Sequence, residues 1–262
     1  MPTPLQILLD PVSLVLFGLL AAMALLEALF PGRELPQVPG WRARALAVFV
    51  CYFFLSSYLP LLWGESLAKY QLFDLGAVHP LIAAAAAVLV FELFVYAWHR
   101  AMHQSNWLWR AFHQMHHSAE RVDALGAFYF SPLDVVGFTF LSSLTLTVVG
   151  LPAQAVTGFL YATTFLTIFQ HTNIRTPQWL GYVFQRPESH SLHHGRGIHQ
   201  YNYSDLPLFD LLFGTFRNPK DFVAENGFEG VSSARIGDML MFRDVAAGGY
   251  SPGPGRTTGP AR

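Results

Sequence analysis

Long uncharged segments alternate with short polar ones over the first two thirds of the chain. Residues 11–30, 45–63 and 80–98 each consist almost entirely of apolar side chains over about 20 positions. An α-helix needs about 20 such residues to cross the roughly 30 Å hydrocarbon core of a bilayer. The pattern therefore predicts three transmembrane helices, the first of which ends at Pro31-Gly32.

A fourth uncharged segment, residues 135–170, is too long for one straight crossing. As a single helix it would measure about 54 Å, nearly twice the thickness of the bilayer core. Gly150-Leu151-Pro152 lies near its middle and predicts a turn between two shorter helices. Such a hairpin would bring His171 back to the side of the membrane from which the segment departs.

The predicted fold class is an all-α integral membrane protein. It has about three transmembrane helices plus a helical hairpin, with a histidine-rich helical cap. With this topology all lysines and arginines except Lys69 fall on one side of the membrane. The positive-inside rule assigns that side, and with it the histidine-rich cap, to the cytoplasm.

Composition supports a membrane protein and excludes several other classes. Hydrophobic residues make up 52 % of the 262 residues and charged residues only 13 %, against about 25 % charged in soluble domains. The net charge of −1 gives no electrostatic footprint for nucleic acid. Cys51 is the only cysteine, which excludes an intrachain disulfide and a thiolate cluster. The N-terminus carries Asp10 and no basic residue before it, so we expect no signal peptide.

The histidines carry the chemistry. Ten of the eleven lie between His99 and His199, in groups spaced i, i+4 or i, i+3, i+4. On a helix these spacings share a face, so we expect each group to point its imidazoles in one direction. Two groups have the form H-x-x-H-H, a repetition that chance does not explain. The predicted metal ligands are His99, His103, His113, His116, His117, His171, His190, His193 and His194.

Nine converging imidazoles indicate two metal ions, because zinc, for example, usually takes four ligands. The residues do not choose the metal, since imidazole suits zinc, iron, copper and nickel alike. A zinc-binding protein and a membrane haem protein for electron transfer are therefore alternatives. A haem protein would need histidines facing each other deep within different spans, whereas these lie at or beyond the span ends.

Carboxylates near the ligands are needed to balance the metal charge and to orient the imidazoles. The candidates are Asp123, Asp134, Glu188, Asp205 and Asp210, of which the sequence favours Asp205 and Asp210. The last two lie among apolar residues just after the final histidine group. His199 follows Gly195 and Gly197, off the helical face of that group, and is a candidate ligand or a residue supporting one.

These histidine groups resemble the three histidine boxes of the fatty acid hydroxylase / sterol desaturase superfamily. The flanking sequences Trp98-His99-Arg100 and Trp107-Leu108-Trp109-Arg110 are also similar, and the resemblance covers about residues 90 to 220. It implies two iron ions, O2 as oxidant, and hydroxylation or desaturation of a lipid. No nicotinamide motif or cysteine cluster is found, so a separate reductase, ferredoxin or cytochrome would supply electrons. In a bacterium the protein would lie in the inner membrane.

The resemblance also implies roles outside the boxes. Asn202 and Tyr203 match the closing motif of the family and would hydrogen-bond ligands or substrate. One departure concerns Tyr129-Phe130-Ser131-Pro132, where many relatives resemble R-x-H-P.

The chain is expected to divide into three regions. Residues 1–79 form N-terminal transmembrane helices, residues 80–220 a fatty acid hydroxylase-like catalytic domain, and residues 221–262 a C-terminal cytoplasmic tail. We expect disorder from about residue 246.

Overall fold

The computed structural model describes residues 1–246, and within that range it contains helices and no strand. The longer helices are α2, α3, α4, α7 and α8, and short helices and turns connect them or cover their ends. The α-helices are α1 Pro4–Leu8, α2 Pro11–Leu29, α3 Trp41–Ala68, α4 Pro80–Gln104, α5 Asn106–Leu108, α6 Gln114–His117, α7 Pro132–Val149, α8 Ala153–His171, α9 Pro187–His193, α10 Leu208–Leu212 and α11 Ile236–Leu240. A π-helical turn spans Trp109–His113, and 3₁₀ turns span Ala124–Phe128, Gln178–Tyr182 and Ser232–Ala234.

The predicted all-α membrane fold is confirmed. Helices α2, α3, α4 and α7 are long and apolar enough to cross a membrane. Helix α3 extends beyond the predicted 45–63 at both ends, and α4 continues six residues past position 98. Because α4 continues, His99 and His103 belong to the spanning helix itself.

The hairpin predicted at Gly150-Leu151-Pro152 is present between α7 and α8. Gly150 takes a left-handed conformation, φ 63°, and its N–H donates to the carbonyls of Leu146 and Thr147. This conformation is open to glycine because it lacks a Cβ. Pro152 then caps the start of α8. Consequently the start of α7 and the end of α8, which carries His171, lie at the same end of the helix bundle.

Two glutamates, the half-buried Glu27 and the buried Glu92, join the spanning helices to the polar cap. Glu27 of α2 accepts hydrogen bonds from the main-chain N–H groups of Ala124, at 2.9 Å, and Asn173, at 3.1 Å. Glu92 of α4 is fully buried and accepts from the main-chain N–H groups of Asp205, at 2.7 Å, and Leu206, at 3.1 Å. Buried main-chain donors that find such partners avoid a large desolvation cost. The acids therefore fix the loops that follow the histidine groups.

Residues 221–246, predicted from the sequence to form part of a C-terminal tail, pack onto the histidine-bearing segments. Phe228, Met239 and Val245 are buried in one apolar cluster with Trp109 and Met115. The segment thus covers the π-helical turn and α6, which carry histidines of the site. Residues 247–262, on which most of the predicted disorder falls, lie outside the described residues.

Candidate metal centre

All nine histidines predicted as ligands are buried, and they form two compact groups. Within each group one ring nitrogen per histidine lies within 4.8 Å of those of all its other members. We call them the five-histidine group and the four-histidine group. The five-histidine group is His99, His103, His113, His117 and His193, and the four-histidine group is His116, His171, His190 and His194.

Each H-x-x-H-H box is shared between the two groups. His113 and His117 belong to the five-histidine group, whereas His116 belongs to the other. The third box divides in the opposite sense, with His193 in the five-histidine group and the i, i+4 pair His190 and His194 in the other. Consecutive residues of a helix point about 100° apart. The expectation that each box points all its imidazoles in one direction is therefore wrong for the two H-x-x-H-H boxes, which instead link the two groups. It holds for His99 and His103, which both belong to the five-histidine group.

The two groups adjoin each other where the second and third boxes meet. The rings of His117 and His194 are stacked, with centroids 4.1 Å apart and planes 12° apart. A π-helical turn ends at His113 and leads into α6, which carries the other two histidines of that box. Single π turns within helices are frequent at functional sites, because they change the direction of the side chains that follow.

Main-chain and carboxylate acceptors orient the five-histidine group. The Nδ1 atoms of His99 and His193 donate to the carbonyl oxygens of Tyr203 and Tyr201, each at 2.7 Å. The Nδ1 atom of His113 lies 2.7 Å from the buried Asp134 carboxylate. Carbonyl and carboxylate oxygens accept hydrogen bonds, so these Nδ1 atoms carry the protons. The Nε2 atoms are then free of hydrogen in the neutral rings, which is the form that binds metals.

The four-histidine group has fewer outer partners. His171 donates from Nδ1 to the carbonyl oxygen of Thr167 at 2.7 Å. Its Nε2 lies 2.9 Å from that of His190 and 3.1 Å from that of His116. His194 approaches His190 by the same atom at 3.1 Å. Among residues 1–246, the Nδ1 atoms of His116, His190 and His194 find no hydrogen-bond partner.

This arrangement fits cations. The Nε2 atoms of His99 and His113 are 2.9 Å apart, and both lack hydrogen once Nδ1 is assigned as the donor. Two lone pairs facing each other at that distance repel unless a cation lies nearby. Two nitrogens bound at ~2.1 Å to one metal ion and at right angles to each other would be about 3 Å apart. The residues present therefore fit a metal ion in each group.

Burial keeps the imidazoles of the cap in the metal-binding form. Desolvation lowers the pKa values of the cap histidines below the ordinary value, and neighbouring histidines lower them further. Protons therefore compete poorly with metal ions near neutral pH. The histidines concerned are His113, His116, His117, His190, His193 and His194.

The carboxylates predicted near the ligands lie at different distances from the metal groups. Asp134 is the one that contacts a ligand directly, through His113. Asp210 accepts hydrogen bonds from the main-chain N–H groups of Tyr203 and Ser204, at 2.9 and 3.0 Å. It thereby positions the Tyr203 carbonyl, which accepts the hydrogen bond of His99. Asp205 accepts from Thr167 and Gln170, at 3.0 and 2.7 Å, beside His171.

The remaining predicted residues also lie around the groups. The Nδ1 atom of His199 lies 3.0 Å from the Nδ1 atom of His117. Tyr203 supplies its main-chain carbonyl to His99. Asn202 bonds to the carbonyls of Ser189 and Arg217 and accepts from the N–H of Arg217, so it ties the loop to α9.

Some site residues were not predicted from sequence. Trp109 is buried, with its ring 5.0 Å from those of His103 and His117. The carbonyls of Tyr201 and Thr167 act through the main chain, which leaves no signal in residue type. The spacing of Thr167 four residues before His171, on one helix, is the only sequence sign of that contact.

The stretch that departs from the family motif has structural roles here. The hydroxyl of Tyr129 donates to the carbonyl of Ser233 at 2.6 Å, which joins it to the covering C-terminal segment. Ser131 caps α7 by accepting from the N–H of Asp134 and donates to the carbonyl of Phe112. The ring of Phe130 lies 4.5 Å from that of His116.

A large cavity leads from the histidines into the bundle of spanning helices. Its volume is about 1100 Å³, slightly above the usual range for ligand sites, about 300–1,000 Å³. Histidines of both groups line one end, among them His99, His113, His116 and His171. The walls come from α1, α2, α3, α4, α7 and α8, so the cavity connects the histidine groups with the interior of the membrane region.

Together the fold and site define an integral membrane protein with two adjacent groups of buried histidines, each able to hold a metal ion, at the end of a large cavity. The sequence model of the fatty acid hydroxylase family matches residues 84–215, half of the chain. The chain belongs to the fatty acid hydroxylase family, as the resemblance indicated. The match includes all nine histidines of the two groups.

Individual relatives are lipid-modifying enzymes. Ornithine lipid hydroxylase OlsE from Rhizobium tropici is 30 % identical over 137 residues, which cover 50 % of this chain and 41 % of the relative. Cholesterol 25-hydroxylase from Rattus norvegicus is 28 % identical over 142 residues, covering 50 % and 45 %. Very-long-chain aldehyde decarbonylase GL1-9 from Oryza sativa is 31 % identical over 158 residues, covering 55 % and 58 %. The chain thus spans about half the length of these relatives, and no solved structure matches it.

Proposed function

We propose that this protein is a membrane-bound, O2-dependent oxidoreductase that uses two iron ions to hydroxylate or desaturate a C–H bond of a lipid. The observation that carries the proposal is the continuity between the two histidine groups and the cavity. Histidines of both groups form the end wall of that cavity. A lipid chain inside it would meet both metal sites without leaving the membrane region.

The five-histidine and four-histidine groups would hold one iron ion each. When bound, the iron pair supplies O2 activation and the oxidising power needed for an unactivated C–H bond. The named relatives include hydroxylases and a decarbonylase that act on lipids, which supports iron over zinc. Imidazole ligands alone would accept either metal.

The residues of the chain have three tasks in this reaction. Asp134 and the carbonyls of Tyr203 and Tyr201 hold imidazole protons on Nδ1, and so keep Nε2 directed at the metal. Phe130 and Phe138 lie beside the ligand rings, at 4.5 Å from His116 and 6.2 Å from His113, and present an apolar surface to the substrate. The covering segment, residues 221–246, excludes water where it packs on Trp109 and Met115.

Electrons would come from a separate reductase, ferredoxin or cytochrome. We place the metal centre on the cytoplasmic face, which the distribution of lysine and arginine favours. The histidine groups lie at the ends of α4 and α8 rather than deep within facing spans, which disfavours haem electron transfer.

Metal content per chain tests the proposal. The protein would be purified in detergent from iron-supplemented cells beside the His116→Ala, His193→Ala double variant, which removes one ligand from each group. We expect about two irons per wild-type chain, with most of the iron lost in the variant. Product formation from candidate lipids with O2 and a reductant then tests the oxidation itself. An unchanged metal content in the variant would contradict the assignment of the groups.

A zinc protein is the second candidate, because the ligand set does not exclude zinc. Two zinc ions per chain, retained after iron supplementation and reconstitution, would favour it. The large apolar cavity ending at both groups is the feature that argues for lipid oxidation instead.

A further inference from the structure

A group of exposed apolar side chains lies on the histidine-rich cap, outside the cavity and the histidine groups. It comes from α10, the residue that follows α10, and the 3₁₀ turn Gln178–Tyr182. Leu212 and Trp179 are each 66 % exposed. Large apolar side chains that gather on a surface indicate a contact with a partner or a membrane. We call this surface the α10 patch, and its members are Trp179, Tyr182, Leu208, Leu211, Leu212 and Phe213.

The two segments that form the α10 patch are bound to each other. The side-chain amide of Gln178 donates to the main-chain carbonyl of Asn218 at 3.0 Å, and that of Asn218 donates to the carbonyl of Gln178 at 2.9 Å. The rings of Tyr182 and Phe216 lie 5.5 Å apart. The patch is therefore one continuous surface rather than two separate ones.

The α10 patch lies where helix α4 reaches the end of its predicted span. The ring of Phe213 stacks on that of Tyr96 in α4, with centroids 5.0 Å apart, and Tyr96 lies two residues before Trp98. Leu89 and Leu93 of α4 are exposed. Because Leu93 lies three residues before Tyr96, the two share a face of the helix. The exposed apolar surface of the span therefore continues onto the patch.

The polar groups that border the patch suit the level of the lipid headgroups. Tryptophan and tyrosine, both present in the patch, are enriched at membrane interfaces. The guanidinium of Arg100 donates to the hydroxyl of Tyr96 at 2.9 Å, and that of Arg217 donates to the carbonyl of Phe216 at 2.7 Å. Neither arginine forms an ion pair with a carboxylate of residues 1–246. Their charges can therefore be met by lipid phosphates.

The opposite face of α10 holds the loop that leads to a predicted metal ligand. The buried carboxylate of Asp210 accepts from the main-chain N–H groups of Tyr203 and Ser204, at 2.9 and 3.0 Å. It also accepts from the hydroxyl of Thr215 at 2.6 Å. The carbonyl of Tyr203 in turn accepts from His99. A displacement of α10 would therefore move the acceptor that orients His99.

We propose that the α10 patch inserts into the headgroup region of the bilayer, and that this contact holds the loop of Tyr203 and Ser204 in place beside the histidines. A helix of five residues is too short to be stable by itself, and the leucines on its outer face are exposed. The apolar face, the bordering arginines and the continuity with α4 fit a lipid surface. The inference goes beyond the proposed function, because it concerns neither the reaction nor the substrate.

Spin labels measure where the patch lies. The Cys51→Ala background removes the only cysteine of the chain. Into it are placed Leu212→Cys in the patch, Leu89→Cys in the span and Glu229→Cys, an exposed position of the C-terminal segment. The protein, as purified, is placed in vesicles of equal parts phosphatidylcholine and phosphatidylglycerol, and the access of O2 and of chromium oxalate to each label is measured. We expect the label at position 212 to lie about 5–10 Å into the headgroup/acyl boundary, between the other two in depth.

Amide hydrogen exchange in the same vesicles measures whether the contact holds the loop. The Leu211→Gln, Leu212→Gln double variant makes two side chains of the patch polar and keeps Asp210. We expect the main-chain amides of Tyr203 and Ser204 to exchange at least about fivefold faster than in the wild type, because α10 leaves the bilayer more often.

Two controls separate this effect from a general loss of structure. The amides of Asp205 and Leu206 are held by Glu92 of α4 rather than by α10, so their exchange rates should not change in the double variant. The Leu240→Gln, Met241→Gln variant changes another exposed apolar pair, in the C-terminal segment. It should leave the exchange of the two amides that α10 holds at the wild-type rate.

Three results would overturn the proposal. The first is a label at position 212 as accessible to chromium oxalate as the label at position 229. The second is a label at position 212 shielded from both reagents, as a contact with a second copy of the chain would produce. The third is unchanged exchange of the Tyr203 and Ser204 amides, or equal acceleration of all four amides. No readout requires iron or turnover, so an inserted patch on a protein that oxidises no lipid would remove only the proposed function.

Discussion

The two histidine groups differ in how the surrounding chain holds them. In the five-histidine group, three imidazoles are fixed from outside by Asp134 and by the carbonyls of Tyr203 and Tyr201. In the four-histidine group, the carbonyl of Thr167 fixes His171, and the Nδ1 atoms of the other three have no partner among residues 1–246. The five-histidine group is also the one that contacts a carboxylate. We infer that it is preorganised for its metal, whereas the other group depends more on the metal itself.

The largest difference between the two groups should appear in the metal content of variants that each lack one ligand. His171→Ala leaves three imidazoles in the four-histidine group, whereas His103→Ala leaves four in the other. We expect metal content to fall from about two to about one per chain in His171→Ala, and to fall less in His103→Ala. Activity in His171→Ala should fall by more than the roughly 10–100-fold typical of changes outside the ligand set. Elemental analysis and product formation measure both, and equal metal loss in the two variants would contradict the comparison.

The next largest effect concerns the carboxylate that distinguishes the groups. Asp134→Asn keeps the size of the side chain but removes the charge that faces His113. We expect metal affinity of the five-histidine group to fall about 10–100-fold, with the four-histidine group unchanged. Chelator competition measures each site. The control is Asp238→Asn, since Asp238 pairs with Arg235 and Arg243 near the surface. Equal weakening of both sites by Asp134→Asn would show that the carboxylate acts on the whole centre.

Much of this site was predictable because it depends on residue type and helical spacing. Long apolar segments predict the spanning helices, and Gly150-Leu151-Pro152 predicts the hairpin that returns His171 to the site. The nine converging histidines were likewise apparent from the chain. These features are local, or follow from the thickness of the bilayer.

Features that depend on tertiary contacts were not predictable. The division of each H-x-x-H-H box between two groups requires a partner helix on either side of it. The sequence favoured Asp205 and Asp210, yet Asp134 contacts a ligand, because the start of α7 packs beside the π-helical turn. Main-chain acceptors such as the Tyr201 carbonyl are common to every residue type, so sequence alone cannot single them out.

A smaller effect is expected from acid. The imidazoles of the cap are neutral and have pKa values lowered by burial. The imidazoles therefore take up protons when the metal leaves and the rings become exposed. Metal binding should be complete above the ordinary histidine pKa, about 6.5, and should be lost as the pH falls below it. We expect the metal affinities of the two groups to differ about 10–100-fold, and each metal to be displaced by about four protons. The two metals should therefore leave about half a pH unit apart. We expect the four-histidine group to lose its metal first on titration from pH 7 to 4. A single step for both metals, or the reverse order, would contradict the inferred preorganisation.

The smallest effect tests whether the main chain of Tyr203, rather than its side chain, serves the five-histidine group. His99 donates to the carbonyl oxygen of Tyr203, which Tyr203→Phe preserves. We expect that variant to change metal affinity less than about threefold. Asp210→Ala should weaken it more, by about tenfold, because Asp210 receives the N–H groups of Tyr203 and Ser204 and so fixes the carbonyl. Both variants are measured by the same chelator competition, with thermal unfolding to check that the fold persists. If Tyr203→Phe were the more damaging of the two, the phenol would be the functional group, and the role assigned to the Tyr203 carbonyl would be wrong.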